Sequence, residues 1–229
     1  SKGAILADEV GLGKTIEAGI ILSEMWAEHK RNILIIVPAS LRNQWNIELM
    51  EKFYLPSYIL DSESFAEGKA QMSRGVKSIY ICSYNFAVSN TEYFKNINWD
   101  LIVLDEAHKL RNVYKESNIM ANTLRAAFKN YKKVLLTATP LQNNLKELYG
   151  LISIIDPEFF SSLDTFADQY NAVSTRDKAK YEELKGRIFH IIHRTLRNQV
   201  EEYVNFTKRT AFVQKYYPTS AEIDLYEQV

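Results

Sequence analysis

At 229 residues, 46% of them apolar, the chain is long enough to bury the core of one large domain or of a domain with an appendage. Its 28 basic and 28 acidic residues cancel, which excludes capture of nucleic acid by overall charge and leaves that work to a local patch. The single cysteine, Cys82, excludes an intrachain disulfide and a thiolate zinc site, and no apolar run approaches the roughly 18 residues of a membrane span.

In chain order, GAILA (3–7) reads as a buried strand, and ADEVGLGKT (7–15) turns from it into a helix expected over 14–29. NILIIVP (32–38) is a second strand, followed by a helix over 41–53 whose Leu41, Trp45, Leu49 and Phe53 fall on one face. At that spacing Trp45 and Leu41 read as core. SYILD (57–61) adds another candidate strand before a helix over 64–73; SIYICS (78–83) and WDLIVLD (99–105) are further strands. A helix over 116–129, a strand in KKVLLTAT (132–139) and a helix over 145–155 complete the alternation. Continuous rather than alternating hydrophobicity suits parallel strands covered on both faces, so the expected fold is α/β with helices on both sides of a mostly parallel sheet.

Past Asp156-Pro157 the texture changes. Helices are expected over 161–171 and 177–196, and RTAFVQKYYPT (209–219) reads as one extended strand ended by Pro218. From 176 to 209 there are nine Lys/Arg and five Asp/Glu, an excess of four that fits a solvated face better than a nucleic-acid track. His190 and His193 lack a third ligand type nearby and read as ordinary helix residues rather than a metal site. Both ends read as cut from a longer chain.

Three motifs carry chemistry. In the first, Gly11 and Gly13 can adopt positive φ and let backbone amides approach a phosphate. Those amides and the start of the next helix form an anion cradle across Asp8, Glu9, Val10, Gly11, Leu12, Gly13, Lys14 and Thr15. Lys14 supplies a point charge for β- and γ-phosphates, and the Thr15 hydroxyl is a Mg²⁺ ligand. The usual phosphate-loop pattern has Gly or Ala where this chain has Asp8, but the strand before and the helix after restore the context. In the second motif, LIVLDEAH (101–108), Asp105 and Glu106 stand at the carboxyl end of a strand expected beside the one that feeds the loop. Asp105 would hold Mg²⁺ through water, Glu106 would align the attacking water, and His108 would bond a neighbouring motif. Two adjacent carboxylates each cost several kcal/mol to bury unless paired or on a metal, which argues against a purely structural role. In the third, LLTATPLQNN (135–144), Thr137 and Thr139 offer hydroxyls near where Glu106 and His108 should lie and could relay nucleotide state.

The series DEVGLGKT, VPASLRNQW, CSYN, LDEAH and TATPLQNNLKELYGL resembles the first RecA-like lobe of Swi/Snf-type ATPases, superfamily-two helicase relatives that move on double-stranded DNA. ADEVGLGKTIEAG and TATP are most similar to the bacterial RapA/HepA-type branch, although Ala138 stands where most of the family has glycine. The resemblance covers the whole chain, is strongest over 1–156, and implies an ATP-binding lobe over 1–156, a helical protrusion over 157–209 and the start of a linker to a second lobe over 210–229. It implies a RecA-like P-loop NTPase lobe using ATP and Mg²⁺, with Lys14, Asp105, Glu106 and His108 in catalysis. It implies nucleic-acid contacts at Ser40, Arg42, Ser83 and Tyr84, with coupling through Thr137, Thr139 and Gln142. Ser40, Arg42 and Asn43 follow a strand and open a helix, where amides and hydroxyls suit phosphate contact; Tyr84 suits packing or groove contact equally. The implied partners are duplex DNA, a second lobe in the full-length chain and, in this branch, RNA polymerase, in the bacterial cytoplasm at the nucleoid. Family arginines that reach the γ-phosphate have no counterpart here, and such residues are worth roughly 10³–10⁵ in rate. The 229 residues alone are therefore expected to bind Mg-ATP weakly and turn it over negligibly. The alternatives are a strand-separating helicase and a nucleotide-gated docking module.

Overall fold

The computed structural model describes residues 2–170, 178–200, 212–219, 222, 223 and 226. The chain divides into two compact units, 1–197 and 198–229. In the first, the strands are β1 (Gly3–Leu6), β2 (Ile33–Val37), β3 (Ser57–Leu60), β4 (Ile79–Ser83), β5 (Leu101–Asp105), β6 (Lys133–Leu136) and β7 (Ile192–His193). They form one sheet in the order β3-β4-β2-β5-β6-β1-β7, with every pairing parallel. The helices are α1 (Lys14–Ala27), α2 (Arg42–Phe53), α3 (Phe65–Ser73), α4 (Tyr84–Ser89), α5 (Thr91–Phe94), α6 (Ile119–Ala127), α7 (Leu145–Ile155), α8 (Leu163–Tyr170) and α9 (Lys178–Ile188).

The apolar runs explain the layering. All five residues of ILIIV in β2 and of LIVLD in β5 are buried, because each side of the sheet has its own cover. Ile33, Ile35 and Val37 face a core closed by Ala18 and Leu22 of α1 and by Trp45 and Leu49 of α2. Leu34 and Ile36 face the opposite core, closed by Ala87, Phe94, Leu124, Leu148, Phe166 and Leu184 from α4 to α9. The result is a three-layer α/β sandwich.

Several expectations change. The helix expected over 116–129 is shorter, because Asn118 caps it by accepting a hydrogen bond from Ala121 N and the chain leaves it after Ala127. The helix expected over 177–196 stops at Ile188, and two residues, Ile192 and His193, pair with Ile5 and Leu6 as an edge strand. His190 and His193 are thus not on one helix. The described helices α8 and α9, which fall in the range expected as a protrusion, belong to the same unit as the sheet, and Phe166, Tyr170 and Leu184 join its core. Of the basic excess, Lys185 pairs with Glu182, while Arg187 donates to the Tyr170 hydroxyl and stacks over Phe160.

Of 209–219, residues 209–211 lie outside the described residues; 212–219 form no strand and are exposed, with Thr219 and Glu222 bonded to each other. In addition, β5 does not lie beside β1: β6 is inserted between them. Its register places Leu6, Leu136 and Asp105 level across three strands, so Leu6 and Asp105 are separated by two strand spacings, about 10 Å.

Candidate active site

Because the sheet is parallel, every strand delivers its C-terminal residue to the same edge. Loops there build ligand sites in open α/β folds. After β1, Gly11 at φ 84° and Gly13 at φ 89° take left-handed conformations that glycine adopts without strain. Gly13 caps α1, its carbonyl accepting from Ile16 N and Glu17 N. Val10 and Gly11 are exposed at the tip, and Leu12 donates back to Glu9 O. The half-buried Lys14 curls over its own loop, its Nζ donating to Asp8 O at 2.8 Å and Glu9 O at 3.3 Å. Thr15 follows, half-buried in the first turn of α1.

Asp8, the departure from the usual phosphate-loop pattern, has a structural explanation. It is 4% exposed, and its Oδ1 accepts from Thr195 N at 2.6 Å. Burial, and then Asp8 beside it, push the Glu17 carboxyl up to about 7. Nothing in the sequence links positions 8 and 195; only the return of the chain to the sheet brings them together.

Asp105 ends β5 and is buried. Its Oδ2 accepts from Trp45 Nε1 at 2.8 Å, its Oδ1 from Glu106 N at 2.8 Å, and its backbone carbonyl from the Tyr84 hydroxyl at 2.6 Å. Burial raises the Asp105 pKa against the lowering effects of those two N–H donors and of Lys14. Glu106 sits at φ 51°, a left-handed conformation that a residue with a side chain adopts only when its surroundings hold it there. Its Oε2 lies 3.0 Å from His108 Nδ1. His108, expected to bond a neighbouring motif, thus bonds within its own.

Thr137 is fully buried between the two chemistry-bearing strands: its N donates to Leu6 O at 3.0 Å and its Oγ1 accepts from Thr139 N at 3.2 Å. Thr139 and Gln142 are exposed. The link from the acidic motif to this turn runs through residues the sequence reading did not select. Glu147 in α7, 3% exposed, accepts from Gln142 N, Asn143 N and Asn143 Nδ2. Arg111, just past the 107–110 turn, places Nε 3.7 Å from Glu147 Oε1. A side chain at Gly150 would strike Arg111 O, so α7 packs directly on that backbone. A carboxylate five residues after Gln142 and an arginine three residues after His108 were the available signals.

The proposed nucleic-acid residues do not behave alike. Tyr84 is a correction: it is buried at the first turn of α4, its hydroxyl points at Asp105 O, and burial raises its pKa well above the phenol range. It supports the acidic motif from inside and has no surface to offer DNA. Ser83 caps α4 by accepting from Phe86 N at 3.2 Å. Ser83 and Arg42 line one hollow of about 380 Å³ with Asp61, Asn85 and Asn90, and Arg42 Nη1 lies 3.6 Å from Asp61. Ser40 is exposed on the turn before α2. Trp45 is core, as its spacing required, and it also donates to Asp105, a role its spacing did not indicate.

The donor set fits Mg-ATP. A left-handed glycine loop, an ammonium and a helix start suit phosphates. Among the described residues the Asp105 side chain accepts only from Trp45 Nε1 and Glu106 N, no cationic side chain bonds it, and a carboxylate with spare acceptor capacity suits a hard divalent cation with oxygen ligands. Asp105 and Thr15 are the residues that would hold it, with Lys14 on the phosphates.

The SNF2-related domain family matches residues 1–229, the whole chain. The chain belongs to that family. This SNF2-related domain is 38% identical over 198 residues to the uncharacterized ATP-dependent helicase YqhH of Bacillus subtilis (strain 168), covering 85% of this chain and 33% of that protein. It is 38% identical over 184 residues to the RNA polymerase-associated protein RapA of Pectobacterium carotovorum (strain PC1), covering 74% of this chain and 19% of that one. The SWI2/SNF2 ATPase core of Sulfolobus solfataricus in complex with double-stranded DNA superposes with a TM-score of 0.70 at 25% identity over 85% of this chain and 40% of that one. The domain thus spans a third or less of the length of these two curated relatives. It has the architecture of the first RecA-like lobe of a Swi/Snf-type superfamily-two ATPase. Among the described residues no helix is long and apolar enough to cross a membrane.

Proposed function

We propose that this lobe binds Mg-ATP at the carboxyl edge of the sheet and, with a second lobe of the full-length protein, couples hydrolysis to movement along double-stranded DNA. The observation that carries the reading is the register of the sheet: Leu6, Leu136 and Asp105 stand level, so the glycine loop with Lys14 and the buried Asp105 open at the same edge, two strand spacings apart across β6. When bound, Mg²⁺ would neutralise charge on the β- and γ-phosphates. Lys14 leaves Asp8 O and Glu9 O to meet the phosphates, and loop amides freed by glycine cradle them. Glu106 aligns the attacking water, and His108 on its Oε2 fixes the carboxylate's direction. Trp45 and Tyr84 hold Asp105 from its side chain and its backbone.

Lys14 must give up two carbonyl acceptors before it meets a phosphate, and the arginines that would reach the γ-phosphate belong to the second lobe, so the 229 residues alone are expected to bind Mg-ATP weakly and to turn it over negligibly. DNA contact would be to phosphates through Ser40, Arg42 and the amides near them, giving a steep salt dependence and little sequence preference. Similarity to RapA supports RNA polymerase as a partner and the bacterial cytoplasm, at the nucleoid, as the place of work.

The test uses the full-length protein. Double-stranded DNA should stimulate its ATPase, and it should displace a third strand from a triplex without releasing single strands from a forked duplex. Lys14→Ala should abolish both activities. Release of single strands would instead favour a strand-separating helicase. A partner retained equally by wild type and Lys14→Ala, with no DNA stimulation, would favour a docking module.

A further inference from the structure

Residues 193–197, far beyond every motif of the nucleotide site, grip the approach to the phosphate loop. Ala7 N donates to His193 O at 2.7 Å and Glu9 N to Thr195 O at 3.2 Å, which extends the β1–β7 ladder past the strands. Thr195 N returns a bond to Asp8 Oδ1 at 2.6 Å. Arg197 donates from its backbone N to Glu9 Oε2 and from its Nη2 to Val10 O, both at 2.7 Å. An ideal Cβ on Gly11 would stand 3.2 Å from that same Nη2, so a side chain there would crowd the guanidinium.

The chemistry of such a loop makes these bonds consequential. In a trans peptide the C=O and the following N–H point in opposite directions. A loop that binds phosphate through its amides must therefore turn its carbonyls away and keep them there. Here the carbonyls of residues 8, 9 and 10 all accept from cations, the first two from Lys14 and the third from Arg197. Lys14 has to give up its carbonyls to reach a phosphate. Arg197 has no such conflict, since its Nη2 is already on Val10 O, the carbonyl whose peptide carries Gly11 N–H.

We propose that Arg197 is a positioning residue of the nucleotide site: by holding Val10 O it directs Gly11 N–H toward the bound phosphates, and it ties the loop to the chain leaving this unit. This rests on the nucleotide-site reading above. The loop is thereby set by a residue 187 positions away in sequence, the last of the first unit.

The experiment measures equilibrium binding of a fluorescent ATP analogue, together with KM and kcat for ATP, on the full-length protein carrying Arg197→Ala, Arg197→Gln or Lys14→Ala. Arg197→Ala should weaken nucleotide binding and raise KM about tenfold, the loss of one charge-assisted hydrogen bond, with kcat at saturation within about twofold. Arg197→Gln keeps an N–H donor and should recover part of the affinity even if the alanine variant is poorly folded. Unchanged binding and KM in both Arg197 variants, with binding lost in Lys14→Ala, overturns the proposal and leaves the nucleotide site standing. A fall in kcat with KM unchanged also overturns it, because Arg197 would then act on hydrolysis. Full binding retained by Lys14→Ala overturns the nucleotide site itself.

Discussion

Asp105 and Glu147 are both buried carboxylates, 8% and 3% exposed, at the same edge of the sheet, and their surroundings drive them in opposite directions. For Asp105 burial wins and the pKa rises, since one indole N–H and one amide are its direct donors. For Glu147 burial is outweighed by the amides of Gln142 and Asn143, the Asn143 side chain and Arg111, and the pKa falls. A carboxylate that is fully paired is a structural tie, whereas one left short of positive charge is prepared for a cation that arrives from outside. The difference separates the carboxylate proposed to meet a cation from the one that fixes the turn beside it, although the two look alike by burial.

The largest test of this contrast lies at the adjacent acid. In the full-length protein, Glu106→Gln should lower kcat by about 10²–10⁴-fold while leaving nucleotide binding near wild type, measured by phosphate release and by titration of an ATP analogue. Glu147→Ala should act on the other side of the comparison, lowering stability by about 3 kcal/mol in denaturant unfolding because Arg111 and two amides lose their acceptor. If Glu147→Ala left stability unchanged, the division into chemical and structural carboxylates would not hold. Trp45→Phe keeps most of the packing but removes the Nε1 donor from Asp105, and about 1–2 kcal/mol of stability should go with it.

The smallest effect concerns Lys133, fully buried at the start of β6, where burial lowers its pKa to about 8. Because the folded value lies below the unfolded one, the unfolded chain binds more protons between about pH 8 and 10.5. Stability contributed by this group therefore rises with pH across that window, and the cost of burying its charge is fully present below it. Lys133→Met removes the titration but leaves Lys129 O and Tyr131 O without their donor. The melting temperature of wild type relative to the variant should climb from pH 8 to pH 10; a flat difference would show that Lys133 is not held neutral by the fold.

What could be read from the sequence followed physical locality. The strand runs were legible because a parallel strand buried on both faces needs unbroken hydrophobicity, as in ILIIV and LIVLD. The phosphate loop was legible because its glycines, lysine and threonine are consecutive. Tyr84 could not be resolved in advance, since a tyrosine after a strand can face either way until a partner for its hydroxyl exists, and the partner is Asp105 O, 21 positions on. Residues 192–197 were hidden for a related reason: a two-residue edge strand carries too little pattern to stand out after a helix.

The sequence by itself determined the layered α/β class, the family and the glycine loop and acidic motif proposed as the nucleotide site, because each is written in short contiguous stretches. Tertiary structure alone decided that β6 stands between Lys14's strand and Asp105's, that Trp45 and Tyr84 hold the acidic motif, and that Thr195 and Arg197 hold the loop. Those arrangements depend on hydrogen bonds between residues about 20 to nearly 190 positions apart, and such partners exist only once the sheet has closed around them.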